Sequence, residues 1–258
     1  MHAATLPTSH PQAALTVKGL SKRYPGAAAP VWSNISFDVP HGQRLAIIGG
    51  NGAGKSTLLR CCMRLVEAES GEIHFGPQCV SQLKGHALSQ ARSKVGFVFQ
   101  KHNLVSRLSV LTNVLHGGMA TSRSPAFWYQ GLASQAKRQQ AMDCLSQVGL
   151  AHLAARRADE LSGGQSQRVA IARALMQEPD MLFADEPVAS LDPQAGEDVM
   201  QVFSDLSRQR QLTLVFVTHH LEHAVGYADR VIGLQAGQLA LDAPAHTLNP
   251  QQLRRMYD

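Results

Sequence analysis

The chain has 258 residues, of which 44% are hydrophobic and 17% are charged, and its formal net charge at pH 7 is +5. This length allows a full buried core, and this composition is typical of a folded globular protein rather than a disordered one. No apolar run reaches the roughly 20 residues that a bilayer span requires. Lysines and arginines are scattered along the chain, so we expect no nucleic-acid partner.

The first residues, MHAATLPTSHPQ, have neither a basic start nor an apolar centre, so they do not predict a secretory signal. We expect residues 1–13 to form a flexible tail and residues 14–258 to form a single domain. The four cysteines show no metal-ligand spacing, which favours reduced thiols.

Alternating apolar and polar residues predict short strands between about Leu15 and Val39, in LTVKGLSKRY and WSNISFDV, with the turn PGAAAP between them. The continuous apolar strand QRLAIIG comes next and suits a sheet that is covered on both faces. A helix is expected from about Lys55 to Val66. A polar segment from Pro77 to Lys94 then leads to another strand, VGFVFQ.

The middle of the chain, from about Lys101 to Glu160, has a helical pattern and indicates an inserted helical subdomain at approximately residues 101–165. Strands and helices alternate again after it. The pattern predicts a helix from Gln165, the strand DMLFAD, a helix near Pro193 to Gln209, the strand LTLVFVT and a helix near Leu221 to Ala228. Such alternation predicts an α/β fold with a mostly parallel sheet.

The segment GGNGAGKST fits the phosphate-loop pattern G-x-x-x-x-G-K-[ST], with Gly49, Gly54, Lys55 and Ser56 at the fixed positions. Glycines let successive backbone N–H groups turn onto a polyphosphate, and the following helix adds its positive end. Lys55 is placed to reach the β- and γ-phosphates, Ser56 to ligate Mg²⁺ and Thr57 to support the α-phosphate. The guanine-reading motif N/T-K-x-D is absent from the sequence, which favours ATP over GTP.

The apolar strand in MLFADEP ends in Asp185 and Glu186. Asp185 suits a Mg²⁺ ion, and Glu186 suits the orientation or deprotonation of an attacking water, an effect of about 10²–10⁴ in rate. Two acids at a strand end are often only surface charge, but beside a phosphate loop they indicate hydrolysis. Gln100 and His219 also follow strands, where ligands bind in such sheets. Gln100 suits contact with Mg²⁺ or the water, and His219 a bond to the γ-phosphate.

The stretch LSGGQSQRVAIARAL starts with a predicted capping box, formed by Ser162 and Gln165. This local role does not account for the adjacent Gly163 and Gly164, which cost about 1 kcal/mol each relative to alanine within a helix. Glycine suits a backbone that another group must approach closely, and a helix start with free N–H groups is a second anion site. We therefore expect this segment to close on the γ-phosphate of a nucleotide that a partner subunit holds.

The motifs GGNGAGKST, Gln100, LSGGQ, MLFADE, ASLD and TH occur in an order that resembles the ATP-binding-cassette (ABC) ATPases, over nearly the whole chain. The resemblance implies a RecA-like P-loop core with an N-terminal antiparallel β-subdomain and an inserted α-helical subdomain. It also implies a Mg²⁺-dependent ATPase and a head-to-tail homodimer that encloses two ATP molecules. One subunit would contribute Gly49, Asn51, Gly52, Gly54, Lys55, Ser56, Thr57, Gln100, Asp185, Glu186 and His219, and the other Ser162, Gly163, Gly164 and Gln165.

Further roles come from the resemblance alone. Asp192 of ASLD would couple the two sites across the dimer interface, and Tyr24 in SKRYPG sits where the family places an aromatic side chain on adenine. Gly50 stands where many relatives carry Pro or Ser. His220 stands where an acid often follows the switch histidine, which leaves the choice between His219 and His220 open, with His219 favoured by position.

Within the family, FQKHNLVSRLSVLTNVLHG, SPAFW and ALMQEPDMLFADEPVASLDP most resemble the ATPase of phosphonate importers. The resemblance implies uptake of phosphonate or phosphite from a peripheral position on the cytoplasmic face of the inner membrane. The partners would be integral membrane permease subunits and, indirectly, a periplasmic or extracellular solute-binding protein. Gln100 and residues 101–117 lie where the family's groove receives a permease helix. The alternatives are an importer or exporter of another solute, or a soluble ABC ATPase acting on DNA or ribosomes.

Overall fold

The computed structural model describes residues 13–120, Phe127 and residues 130–257. The predicted tail, residues 1–13, lies outside this part except for Ala13. This residue belongs to the first strand and pairs with Pro40 of the second strand. The first strand thus begins at the last residue of the predicted tail. The motif SPAFW also lies outside the described residues, apart from Phe127.

The described residues form ten strands and eight α-helices. The strands are β1 (Ala13–Lys22), β2 (Trp32–Pro40), β3 (Arg44–Gly49), β4 (Ser70–Phe75), β5 (Gln78–Cys79), β6 (Val95–Val98), β7 (Met181–Asp185), β8 (Thr213–Val217), β9 (Arg230–Gln235) and β10 (Gln238–Pro244). The helices are α1 (Lys55–Cys62), α2 (Gly85–Ser93), α3 (Val110–Leu115), α4 (Gln135–Gln147), α5 (Gly163–Leu175), α6 (Pro193–Arg210), α7 (Leu221–Tyr227) and α8 (Pro250–Tyr257).

The strands form two sheets. The first is antiparallel, with four strands in the order β2-β1-β4-β5. The second has six strands in the order β10-β9-β3-β8-β7-β6, in which β9 to β6 are parallel and β10 is an antiparallel edge strand. The predicted N-terminal antiparallel strands and the mostly parallel α/β sheet are both present.

The parallel strands meet at one edge in a fixed register. Ile47 in β3 and Asp185 in β7 both pair with Val217 in β8, and Ala184 pairs with Val98 in β6. Because the carboxyl ends of parallel strands lie on the same side, the segments that follow them emerge together. The phosphate loop and the residues after β6, β7 and β8 therefore share one edge of the central sheet.

Two hydrophobic cores lie on opposite faces of the central sheet, and the alternation of strand residues divides β3 between them. Leu45 and Ile47 belong to the core that α1 and the antiparallel sheet cover, whereas Ala46 and Ile48 belong to the core that α5, α6 and the middle helices cover. All of these side chains are 0% exposed. The central sheet is thus covered on both faces, as its continuous apolar strands predict.

Several element boundaries differ from the prediction. Helix α1 ends at Cys62 rather than near Val66, because Arg64 takes a left-handed backbone conformation with φ 50° and turns its side chain to donate to the Val80 carbonyl at 3.0 Å. The predicted polar segment contains α2, and the helical pattern from Lys101 to Glu160 contains α3, α4 and short 3₁₀ turns rather than continuous helix. Strands β9 and β10 and helix α8 were not predicted.

The middle helices pack on α5, in the part of the chain that was predicted as an inserted helical subdomain. Ser109 caps α3 by accepting from the Thr112 N–H, and Ser134 caps α4 by accepting from the Lys137 N–H. The exact limits of the subdomain, approximately residues 101–165, stay a prediction. Among the helices that the structure describes, none has the length and apolarity needed to cross a bilayer.

We expect Leu145→Ala to lower the free energy of unfolding by about 2–5 kcal/mol, because it opens a cavity in a packed core. Leu145 is 0% exposed in the core that joins α4 to the central sheet. The matched control is Leu132→Ala, since Leu132 is 62% exposed and surface changes usually stay within about 0.5 kcal/mol. Denaturant unfolding measures both, and equal losses would contradict this assignment of the core.

Candidate functional site

The phosphate loop between β3 and α1 takes a backbone conformation that favours glycine at three positions. Gly49, Gly52 and Gly54 have φ of 150°, 79° and 86°. A Cβ on Gly49 would lie 2.5 Å from the Leu234 carbonyl oxygen, and one on Gly54 would lie 2.4 Å from Val31 Cγ1, whereas Gly52 faces open space. Gly52 therefore serves the turn alone, and the other two glycines also allow close packing.

Lys55, the first residue of α1, lies in this loop and is only 5% exposed. Its Nζ donates to the carbonyl oxygens of Gly49 at 2.8 Å and Gly50 at 3.1 Å. Burial lowers the pKa of Lys55, while the nearby carboxylates of Glu186 and Asp185 act in the opposite direction. The two acids thus compensate part of the cost of burying the ammonium group.

A cavity of about 280 Å³ opens over the loop. The side chains and backbone that line it come from the turn after β1, the phosphate loop, α1 and the end of β7. Its lining residues are Tyr24, Val31, Asn51, Gly52, Gly54, Lys55, Ser56, Thr57 and Glu186. All of them except Val31 are among the predicted site residues. The fold therefore brings predicted residues from distant parts of the sequence together in one concave site.

Tyr24 stands at the rim of this cavity and is 43% exposed. Its hydroxyl lies 3.3 Å from Thr57 Oγ1, and the Lys22 ammonium lies 4.8 Å from the centroid of its ring. The ring is thus held in place by a polar contact and a cation–π contact while much of its surface stays accessible. Its role on adenine stays a prediction.

Asp185 ends β7 with its side chain only 1% exposed. Its Oδ2 accepts from Arg60 Nη2 at 2.9 Å, whereas its Oδ1 is buried and has no hydrogen-bond partner within the described part of the chain. Sequence reasoning missed Arg60, because this contact joins residues 125 positions apart and no local pattern indicates it. A buried carboxylate oxygen without a partner is costly, so this atom is suited to a cation or an ordered water.

Glu186 and His219 approach each other beyond the ends of β7 and β8. Glu186 Oε2 lies 3.8 Å from His219 Nδ1. The Glu186 backbone is in the left-handed region with φ 49°, and its N–H donates to the Val217 carbonyl at 3.1 Å. A non-glycine residue in this region indicates a backbone that its surroundings hold in place, as often occurs at functional sites.

The imidazole of His220 packs on that of His219, with ring centroids 4.2 Å apart, and faces His223 on the other side at 5.1 Å. Burial, followed by the neighbouring His219, lowers the pKa of His220. His223 Nε2 in turn lies 3.1 Å from Glu197 Oε1. The ion-pair contact of Glu186 is with His219. The choice of His219 over His220 stays a prediction.

Gln100 is exposed and lies two residues beyond the end of β6. It shares the sheet edge with Asp185, because Val98 of β6 pairs with Ala184 of β7. Gln100 is not among the residues that line the cavity. The fold therefore places it beside the site, and its contact with Mg²⁺ or water stays a prediction.

The predicted capping box at the start of α5 is confirmed. The Gln165 N–H donates to Ser162 Oγ at 3.3 Å, and the Ser162 N–H donates to Gln165 Oε1 at 3.0 Å. Ser162 and Gly163 are exposed, while Gly164 is buried. None of these residues lines the cavity of its own chain, so any role at a nucleotide requires another copy.

The paired glycines also have a reason within the chain. A Cβ on Gly163 would lie 3.0 Å from Leu191 Cδ2, and one on Gly164 would lie 3.1 Å from Ala195 Cβ. Both neighbours flank Asp192, whose Oδ1 caps α6 by accepting from the Ala195 N–H at 3.0 Å. The start of α6 is therefore one group that approaches these glycines closely within the chain, and the approach of a ligand stays a prediction.

We expect Gly54→Ala to destabilise the chain more than Gly52→Ala. Both positions have a left-handed backbone, which costs a non-glycine residue about 1–2 kcal/mol, so the pair isolates the packing effect. Only the Gly54 Cβ would also collide with Val31 and with the ring of the fully buried Trp32. Denaturant unfolding of both variants tests this, and a smaller loss for Gly54→Ala would contradict the described packing.

Comparison with known proteins agrees with this geometry. The ABC transporter family matches residues 32–189. The chain is 43% identical over 244 residues to the phosphonates import ATP-binding protein PhnC of Treponema denticola, with 93% of each chain covered. It is 42% identical over 253 residues to the phosphate-import ATP-binding protein PhnC of Mycolicibacterium smegmatis, with 97% of this chain and 94% of the relative covered.

Solved structures give the same result for the fold. The dimeric structure of MJ0796, a bacterial ABC transporter cassette, aligns with a TM-score of 0.77 and 32% identity, over 90% of this chain and 99% of that one. The post-hydrolysis dimer of the same cassette, bound to ADP and Pi, aligns with a TM-score of 0.76 and the same identity and coverage. The predicted fold class is confirmed, and the chain belongs to the ABC transporter family.

Proposed function

We propose that this chain is the ATP-binding and ATP-hydrolysing subunit of an importer, and that it couples hydrolysis to the uptake of a phosphonate or phosphite through separate membrane subunits. The observation that carries the proposal is the cavity in which the phosphate loop, Lys55 and Glu186 converge. The importer relatives at 43% and 42% identity support the transport role.

The cavity suits a nucleoside triphosphate. Backbone N–H groups of the loop and the N-terminus of α1 would face the phosphates, and both attract anions. Lys55 would exchange its hydrogen bonds to the Gly49 and Gly50 carbonyls for phosphate oxygens. Its ammonium group would thereby lose no hydrogen bonds and gain a strong charge partner.

The residues present also fit a magnesium ion, a hard cation that prefers oxygen ligands. Asp185 Oδ1 is buried without a partner in the described structure, and the Ser56 hydroxyl lines the neighbouring cavity. We assign Ser56, Asp185 and, from the shared sheet edge, Gln100 to hold Mg²⁺. The bound ion would supply neutralisation of the phosphate charge.

Glu186 is the residue we assign to the attacking water. Its carboxylate lines the cavity, where it would orient the water or accept its proton. His219, 3.8 Å from that carboxylate, would donate to the γ-phosphate. The hydrogen bond from the Glu186 N–H to the Val217 carbonyl would help to hold Glu186 in place during this step.

A second copy of the chain would complete each site. Ser162 and Gly163 are exposed at the start of α5, where bare N–H groups suit an anion. Ser162, Gly163, Gly164 and Gln165 of one copy would close on the γ-phosphate held by the other, with Gly164 acting through its backbone because it packs on Ala195. Asp192, which caps α6 beside these glycines, would couple the two sites.

A groove of about 430 Å³ offers a place for a permease helix. Phe97, Phe99, Asn103 and Leu65 line it, and Leu65 is 47% exposed, so the groove presents apolar surface beside residues 101–117. We propose that integral membrane subunits dock here and hold the chain on the cytoplasmic face of the inner membrane. Co-purification with ribosomes instead of membrane subunits would favour the soluble ABC ATPase.

We expect Glu186→Gln to dimerise with Mg-ATP and to hydrolyse it very slowly, because the amide keeps the shape of the side chain but cannot accept the proton. Light scattering after gel filtration measures the mass. The control is Glu186→Gln combined with Lys55→Ala, which should stay monomeric because it lacks the phosphate ligand. A monomeric single variant at saturating Mg-ATP would contradict the shared site.

The solute requires an assay of its own, since relatives named for phosphonate and for phosphate import match at 43% and 42% identity. We expect cells of the source organism that lack this chain to lose uptake of labelled methylphosphonate or phosphite. Wild type should restore it, and Glu186→Gln should not. Dependence of phosphate uptake alone would assign phosphate as the solute, and no dependent uptake would contradict the importer.

A further inference from the structure

The β4–β5 hairpin, at the outer edge of the antiparallel sheet, brings three metal-ligating side chains together away from the nucleotide cavity. Glu72 and His74 lie on β4 and Cys79 lies on β5. One ligand atom from each lies within 4.8 Å of the other two. His74 Nε2 and Glu72 Oε2 are 3.0 Å apart.

The sheet itself places these groups on one face. Glu72 and His74 are two residues apart on a strand, so their side chains point the same way. Ile73 between them is 1% exposed and belongs to the hydrophobic core, which makes the opposite face the outer one. Cys79 is the cross-strand partner of His74 in the β4–β5 register, and directly opposed residues share a face.

We propose that Glu72, His74 and Cys79 form a binding site for Zn²⁺ or a divalent transition metal of similar preference, with water in the fourth position. Thiolate, imidazole and carboxylate are the ligand types that zinc takes in proteins, at distances of about 2.0–2.3 Å. Two ligands at such distances from one ion lie about 3 Å apart, as His74 Nε2 and Glu72 Oε2 already do. The Glu72 side chain is 50% exposed, and one of its oxygens already lies within 4.8 Å of Cys79 Sγ.

The site differs chemically from the proposed magnesium site. A hard cation such as Mg²⁺ prefers oxygen ligands throughout, whereas this cluster offers sulfur and nitrogen. Millimolar magnesium in an ATPase assay should therefore leave the hairpin site unoccupied. Occupation would link the short edge strand β5 to β4, which pairs with β1 through Thr16 and Lys18.

Cys79 is distinct among the four cysteines. All four are free, and Cys61, Cys62 and Cys144 are buried whereas Cys79 is partly exposed. Burial raises the pKa of the Cys61 and Cys144 thiols to about 11, so these thiols stay protonated at neutral pH. Because Cys61, Cys62 and Cys144 are buried, the Cys79 thiol is the one that a metal ion can reach in the folded chain.

The test is a titration of the untagged, reduced full-length chain with Co²⁺, followed by displacement with Zn²⁺. We expect one equivalent of Co²⁺ to give a thiolate-to-cobalt charge-transfer band in the near ultraviolet, which Zn²⁺ abolishes and excess Mg²⁺ does not. Cys79→Ser should lose the band, and Cys144→Ala should keep it. Glu72→Gln and His74→Ala should weaken binding at least about tenfold.

A matched control is His152→Ala, which removes an exposed histidine elsewhere and should leave the affinity unchanged. Thermal unfolding with Zn²⁺ gives a second measurement, since a ligand that binds only the folded state raises the midpoint. Wild type should show this rise, and Cys79→Ser should not. Absence of the band in wild type, or an unchanged band in Cys79→Ser or His74→Ala, would overturn the proposal.

Discussion

The register of three adjacent parallel strands determines where the candidate site residues of this protein lie. Ile47 and Asp185 pair with the same residue of β8, Val217, so the phosphate loop, the acid pair and His219 leave the sheet side by side. Side chains alternate between the two faces of a strand, and a slip of one residue would turn Asp185 toward the opposite face. The hydrophobic cores on both faces disfavour such a slip, because it would exchange side chains of different size between two closely packed interiors.

The same edge concentrates features that a protein tolerates only where the surrounding structure holds them. The ammonium of Lys55 is nearly buried, Asp185 has one oxygen without a partner among the described residues, and Glu186 has a left-handed backbone. Each is unfavourable by itself. Nucleotide phosphate and a cation would satisfy the charges, so the proposed function accounts for these features together.

Contacts join the phosphate loop to the antiparallel sheet, and the start of α5 to the start of α6. Trp32, fully buried in the antiparallel sheet, donates from Nε1 to the Gly54 carbonyl at 3.3 Å, which anchors the phosphate loop. On the other side, Gly163 and Gly164 pack on the start of α6, beside the cap formed by Asp192. A displacement of α5 relative to the central sheet would therefore move the residues that are expected to form the dimer interface.

Much of the candidate site follows from the sequence, because its requirements are local. The phosphate loop needs glycines and a lysine at fixed spacing, and the capping box of Ser162 and Gln165 joins residues within one helical turn. The acids of β7 are recognisable because they end an apolar strand. These features depend on residue type and short separation, which the sequence displays directly.

Only the tertiary structure shows the side-chain contacts between segments that are far apart in the sequence. The bond from Arg60 to Asp185, the packing of Leu191 on Gly163 and the meeting of His74 with Cys79 arise from strand pairing and helix packing. The early end of α1 and the mixed structure after Lys101 were also mispredicted, since tertiary contacts override local helix preference there. Which side chains meet is determined by the register and direction of whole elements, and a single sequence does not display those.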